Sequence, residues 1–173
     1  MNFLDITYLK NGNERQQKAY IDLTQLQVFE KLEKYNPVLA GTIPIGIDLP
    51  NSDLDIICQC NDHIEFSSTI EQFFSEEEDF EIRTYTQDHL LVTVANFESD
   101  HFGVEIFGQD ITTTSQNAYR HMLIEHEILN KQDAVFKKNI IQLKKEGYKT
   151  EPAFAKLLDL QGNPYEALLK IKP

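Results

Sequence analysis

The chain has 173 residues, 41% of them hydrophobic and 25% charged, which suits one packed domain or a compact core with an appendage. Sixteen basic against 28 acidic residues leave a net charge of −12, so extended DNA or RNA is a poor partner for a surface of this sign. No stretch is long and apolar enough to span a bilayer, the start lacks the basic-then-apolar pattern of an export signal, and Cys58 and Cys60 sit too close for a disulfide and too few for a zinc site, so the expected setting is the cytoplasm.

Asn11-Gly12-Asn13 reads as a turn, and Asn13 with Gln16 three residues later makes a capping-box pattern. Ala19, Leu23, Leu26, Phe29 and Leu32 recur at spacings of three and four, so 14–34 forms one long helix or two shorter ones with a second start at Thr24. Asn36-Pro37 stops that run. Strands are expected over 38–45 and 53–60, the second with Leu54, Ile56, Cys58 and Cys60 on one face. A helix follows over 64–75, then the acidic loop Glu76-Glu77-Glu78-Asp79, a solvated charge run with no assigned role. Runs over 80–86, 90–97 and 102–107, separated by short polar connections, fit antiparallel hairpins. Beyond Gly108 come helices over 116–130 and 133–146, the latter ended by Gly147, a third capped by Thr150, and a last over 165–171. This order predicts an α+β fold: a mixed sheet flanked by helices over 1–110, followed by a helical C-terminal subdomain over 111–173.

Asp53 and Asp55 open a strand that is otherwise apolar, and their spacing puts both side chains on one face. Glu105 is a lone acid in the middle of another apolar strand. If those two strands are neighbours, three carboxylates converge, and mutual repulsion then demands a cation. Ligands that are all oxygen suit Mg²⁺, with Mn²⁺ as a substitute, and Mg²⁺ keeps part of its shell for substrate phosphates. Nearby, Gly41 lets backbone approach a phosphate, Thr42 offers an N–H and a hydroxyl, and Ser52 can donate or orient Asp53.

Gly41-Thr42, Gly46 and Ser52-Asp53-Leu54-Asp55, at this spacing, resemble the signature of the nucleotidyltransferase superfamily, the polymerase-beta-like fold. That signature is a Gly-Ser turn, a second glycine, and Ser-Asp-x-Asp leading into a strand, with a third acid on a later strand. Thr42 stands where serine is usual. The resemblance covers residues 24–107. Over nearly the whole chain the sequence is also similar to a small bacterial family of uncharacterised nucleotidyltransferase-like proteins, on GNERQ at 12–16, GTIPIGID at 41–48 and KTEPAFAKLLDLQGNPYEALL at 149–169.

The resemblance implies that Asp53 and Asp55 are the metal pair, that Glu105 is the third acid, and that Gly41, Thr42 and Ser52 position phosphates. It implies transfer of a nucleoside monophosphate from an NTP to an acceptor, with Mg²⁺. One stretch departs from the superfamily pattern. Ile43-Pro44-Ile45 and Ile47-Asp48 stand where many members carry polar or basic residues that meet the triphosphate, and Asp48 adds a negative charge. That departure keeps a second reading open, a nucleotide-binding or protein-interaction module without transfer activity. In the tail, Arg120 and His121 are candidate substrate contacts against the plainer reading of a solvated helix face, and His121 and Glu125 are spaced to pair. Lys144-Lys145 reads as favourable charge at a helix C-terminus.

Overall fold

The computed structural model describes residues 1–171. Helix α1 (Glu14–Gln25) starts on a complete capping box: Asn13 accepts from the Gln16 N–H at 2.9 Å, and the Gln16 side chain accepts from the Asn13 N–H at 3.0 Å. Gln27 then adopts φ 54°, and the apolar stripe continues in α2 (Val28–Lys31) and a 3₁₀ turn. The two-helix alternative therefore holds, with the break at Gln27 and not Thr24.

Five strands follow: β1 (Val38–Ala40), β2 (Leu54–Gln59), β3 (Glu81–Gln87), β4 (Leu90–Glu98) and β5 (Gly103–Gln109). They form one mixed sheet in the order β1-β2-β5-β4-β3, with β2 and β5 parallel and the other pairs antiparallel. The parallel pair is bridged by a crossover through α3 (His63–Phe74), β3 and β4, so the acid-bearing strands become neighbours although some fifty residues separate them. The first strand is shorter than the 38–45 expected from sequence. Gly41 takes φ 78°, which ends the ladder, and the Gly46 N–H closes a turn onto the Ile43 carbonyl at 3.1 Å.

Alternation along the strands splits the core in two. On one face Leu54, Ile56, Cys58, Val104 and Ile106 pack with Leu23 and Leu32 of the N-terminal helices and with Phe66, Ile70 and Phe74 of α3. On the other face Val38, Ala40 and Ile57 meet the C-terminal helices α4 (Asn117–Lys131), α5 (Ala134–Lys145), α6 (Thr150–Leu157) and α7 (Pro164–Leu169) through Met122, Ile140, Phe154 and Leu168. Asp133 and Asn163 cap α5 and α7. Thr150 is the first residue of α6 and not its cap; Lys149 holds that position without a side-chain bond. Gly147 (φ 96°) ends α5, with the Tyr148 N–H reaching back to the Leu143 carbonyl at 3.1 Å.

Candidate functional site

The parallel register sets Asp55 directly beside Glu105. Their side chains share the sheet face of Ile57 and Phe107, the face toward the C-terminal helices. Asp53 lies one residue before β2 and is exposed; its Oδ1 sits 3.0 Å from where a Cβ on Gly103 would be. A Cβ on Gly41 would lie 2.0 Å from Asp55 Oδ2, so only glycine leaves room for that carboxylate beside the turn. Burial pushes the Asp55 carboxyl up to about 7, helped by the charges of Glu105 and Asp53 and opposed by Lys144. Glu105 is raised by burial and by Asp53, with Arg83 opposing.

These side chains are an all-oxygen donor set of like charge, the chemistry that Mg²⁺ or Mn²⁺ takes. As the side chains stand, among the described residues no three of His, Cys, Asp or Glu are gathered tightly enough to hold a metal ion. The fit is one of donor type, electrostatics and the space left by Gly41. Asp53, Asp55 and Glu105 are the residues that would hold the cation.

The apolar loop between the two glycines has a structural explanation. Ile43, Ile45 and Ile47 are all buried, Ile43 in the N-terminal core and the other two under the C-terminal helices. Polar groups from elsewhere bind the loop backbone. Gln16 Nε2 donates to the carbonyls of Ile43 and Pro44 at 2.9 and 3.1 Å, and Lys144 Nζ donates to that of Ile47 at 2.8 Å. Arg15 Nε donates to Asp48 Oδ2 at 2.6 Å, its Nη2 reaches the Ser52 carbonyl at 3.2 Å, and its guanidinium lies 4.6 Å from the Phe102 ring centroid. Asp48 is thus neutralised by a partner. The two sequence segments GNERQ and GTIPIGID are a clamp and the loop it holds. Ser52 Oγ accepts from the Leu49 N–H at 2.9 Å and so braces the approach to Asp53 from within the loop.

A cleft of about 570 Å³ opens between this sheet face and helices α4 and α6. Gly41, Thr42, Asp55 and Glu105 line one side, and His121, Glu125 and Glu151 line the other. Among the described residues no Lys or Arg lines it. Arg120 is exposed, bonded to Asn117 Oδ1 at 3.1 Å, and is not part of the cleft wall. His121 is buried in that wall: Nε2 lies 3.0 Å from the Tyr165 carbonyl and Nδ1 3.5 Å from Glu151 Oε1. The expected partner Glu125 is replaced by Glu151 from another helix, because His121 turns toward α6 and α7. Glu125 is only 3% exposed, and its Oε1 has no hydrogen-bond partner. Burial pushes this carboxyl up to about 8, Glu151 adding to the effect and Lys144 opposing it.

From sequence Glu125 reads only as a possible pair for His121, Lys144 only as charge near a helix end, and Glu151 only as part of a helix start. The phase of α4 carried a signal for the first, since Glu125 continues the buried series Met122 and Ile128 at a spacing of three. Nothing local marks Asp22, which is buried in α1 and accepts from Ser99 Oγ at 2.6 Å and the His101 N–H at 2.9 Å, fixing the β4–β5 turn ahead of Glu105.

The model of a family described as "Domain of unknown function (DUF4269)" matches residues 21–171. No curated protein matches the chain. Among solved structures, a cytoplasmic RNA terminal U-transferase is similar at a TM-score of 0.52 and 18% identity, over 76% of this chain and 39% of that one. The Cid1 poly(U) polymerase bound to Mg 3'-dATP gives a TM-score of 0.53 at 17% identity, over 90% and 48%. The GLD-2/RNP-8 complex gives 0.55 at 13%, over 88% and 61%. The chain thus spans less than two thirds of each of these neighbours. At such identities the likeness establishes the fold: a mixed sheet flanked by helices, of nucleotidyltransferase type.

Proposed function

The chain belongs to the DUF4269 family, and from the geometry of its site we propose that it is a metal-dependent nucleotidyltransferase, moving a nucleoside monophosphate from an NTP to an acceptor. The observation that carries this reading is the parallel β2–β5 register, which sets Asp55 beside Glu105 with Asp53 close enough to act electrostatically on both. Paired carboxylates at the centre of a sheet are destabilising on their own account, so a site that keeps them is built for a positive partner. The similar solved structures include a polymerase with bound Mg²⁺ and nucleotide, which supports the same direction.

In this proposal Asp53, Asp55 and Glu105 hold Mg²⁺, or Mn²⁺ in its place. When bound, the cation supplies charge neutralisation for phosphate oxygens and for the leaving pyrophosphate. Gly41 and Thr42, in the cleft wall beside Asp55, hold the phosphates close to backbone. Ser52 keeps the loop in register behind Asp53. Glu105, set beside Asp55 by the parallel register, takes the proton of the attacking hydroxyl. The acceptor oxygen bonds to the α-phosphorus while the bond to the β-phosphate oxygen breaks, and pyrophosphate carries that electron pair away.

The apolar loop on which the alternative of a non-catalytic module rests packs into both cores. A cytoplasmic setting belongs to the same proposal, in keeping with two buried free thiols. The test is NTP turnover with Mg²⁺ in wild type and in the Asp53→Asn/Asp55→Asn pair, read as pyrophosphate release. Loss of at least about a hundredfold is expected. Turnover that persists in the pair would put the chemistry elsewhere.

A further inference from the structure

Two features of the cleft have no part in the transfer chemistry itself. The first is the rest of its wall, which beyond Asp55 and Glu105 of the proposed metal site carries Asp88, Glu125 and Glu151 and, among the described residues, no Lys or Arg. The second is Glu125. Its carboxyl is 3% exposed, it lines the cleft, and Oε1 meets no donor from the protein. A buried carboxyl oxygen without a partner costs free energy that the fold retains here.

The groups facing Glu125 do not relieve it. Lys144 acts on it electrostatically, yet its ammonium donates to the Ile47 carbonyl at 2.8 Å. His121 is engaged with the Tyr165 carbonyl at 3.0 Å and with Glu151 at 3.5 Å. Glu151 is itself acidic and adds repulsion. Part of the wall is apolar, with Ile57, Val92, Phe107 and Met122 suited to the body of a ring or short chain.

We propose that the helical wall is the acceptor subsite, and that the acceptor is a small hydroxyl compound bearing a protonated amine, held between Glu125 and Glu151. An ammonium supplies the donors that Oε1 lacks and offsets charge on both carboxylates. The amine anchors the molecule on α4 and α6, and the apolar wall carries its body toward Asp55 and Glu105 on the sheet side of the same cleft. A hydroxyl of the acceptor then meets the α-phosphorus as described above. The inference rests on the transferase reading for the fate of that hydroxyl, but the selection for an amine stands on the cleft alone.

The test follows amide chemical shifts of the full-length protein during titration with glucamine and, separately, with sorbitol, which differ in one ammonium for one hydroxyl. The probes are added to wild type, Glu125→Gln and Asp53→Asn. Wild type should bind glucamine roughly tenfold more tightly than sorbitol, with shifts confined to the cleft. Glu125→Gln should lose that preference, and Asp53→Asn should keep it while losing Mg²⁺-dependent NTP binding. If wild type shows no preference for glucamine, or Glu125→Gln retains it, the inference is overturned whatever the protein does with NTP. If the preference holds but Mg²⁺ and NTP never bind, the amine subsite stands and the transferase reading fails. A folded Glu151→Gln, which removes the second carboxylate from a partly exposed site, provides the same readout should Glu125→Gln fold poorly.

Discussion

Asp55 and Glu125 are single side chains whose charged forms are costly in this fold. Both are carboxyls raised by burial, to about 7 and about 8. For Glu125 the ordinary value is 4.5 and the folded one about 8, so its contribution to stability is fully present below pH 4.5 and is lost as pH rises through 8. Glu125→Gln should therefore match wild type in acid and exceed it by a few kcal/mol above pH 8. Thermal melts at the two extremes check this; equal midpoints in alkali would mean that Glu125 finds a partner. Individual residues were partly legible from sequence. Asp53, Asp55 and Gly41 stand out because charge and glycine sit where an apolar strand would continue. Glu125 did not, because one acid among Arg120, His121 and Glu127 on a helix looks solvated unless its phase is followed against Met122 and Ile128.

Between elements, the decisive arrangement is the clamp of α1 on the loop after β1. Ile43 and Ile45 continue the apolar run expected as a strand over 38–45, but Gly41 (φ 78°) ends the ladder, and Ile43, Ile45 and Ile47 divide between two cores. That is why the first strand came out too long when read from sequence. The clamp also settles Asp48, whose side chain is 6% exposed and paired with Arg15. Removing one partner of such a pair leaves a charge with no compensation. Arg15→Ala should cost about 3 kcal/mol in urea unfolding, and adding Asp48→Asn should restore most of that loss. Additive losses in the double variant would show that the two residues act separately. The capping box of α1 and the Gly147 stop of α5 were readable because each is local, whereas the pairing of β2 with β5 links residues far apart and has no local mark.

For the whole molecule, the sheet has one face closed by the N-terminal helices and α3, and the other shared between the C-terminal helices and the cleft. The α+β order, the mixed sheet and the helical tail could be read from the sequence because hydrophobic period, caps and turns agree along most of the chain. What the tail does could not, since its contribution to the cleft depends on how α4 and α6 pack over the sheet. The site that results joins an acid pair from neighbouring strands to carboxylates from two helices, in a chain of net charge −12. With no Lys or Arg among the described residues of the cleft wall, the proposed function makes binding of nucleotide depend on added metal. Calorimetric titration of a non-hydrolysable NTP, with and without Mg²⁺, tests that dependence most directly in wild type and in Asp53→Asn/Asp55→Asn. The account predicts binding to wild type only with Mg²⁺ present, and none to the variant pair. Binding that ignores the metal, or survives loss of both aspartates, would contradict it.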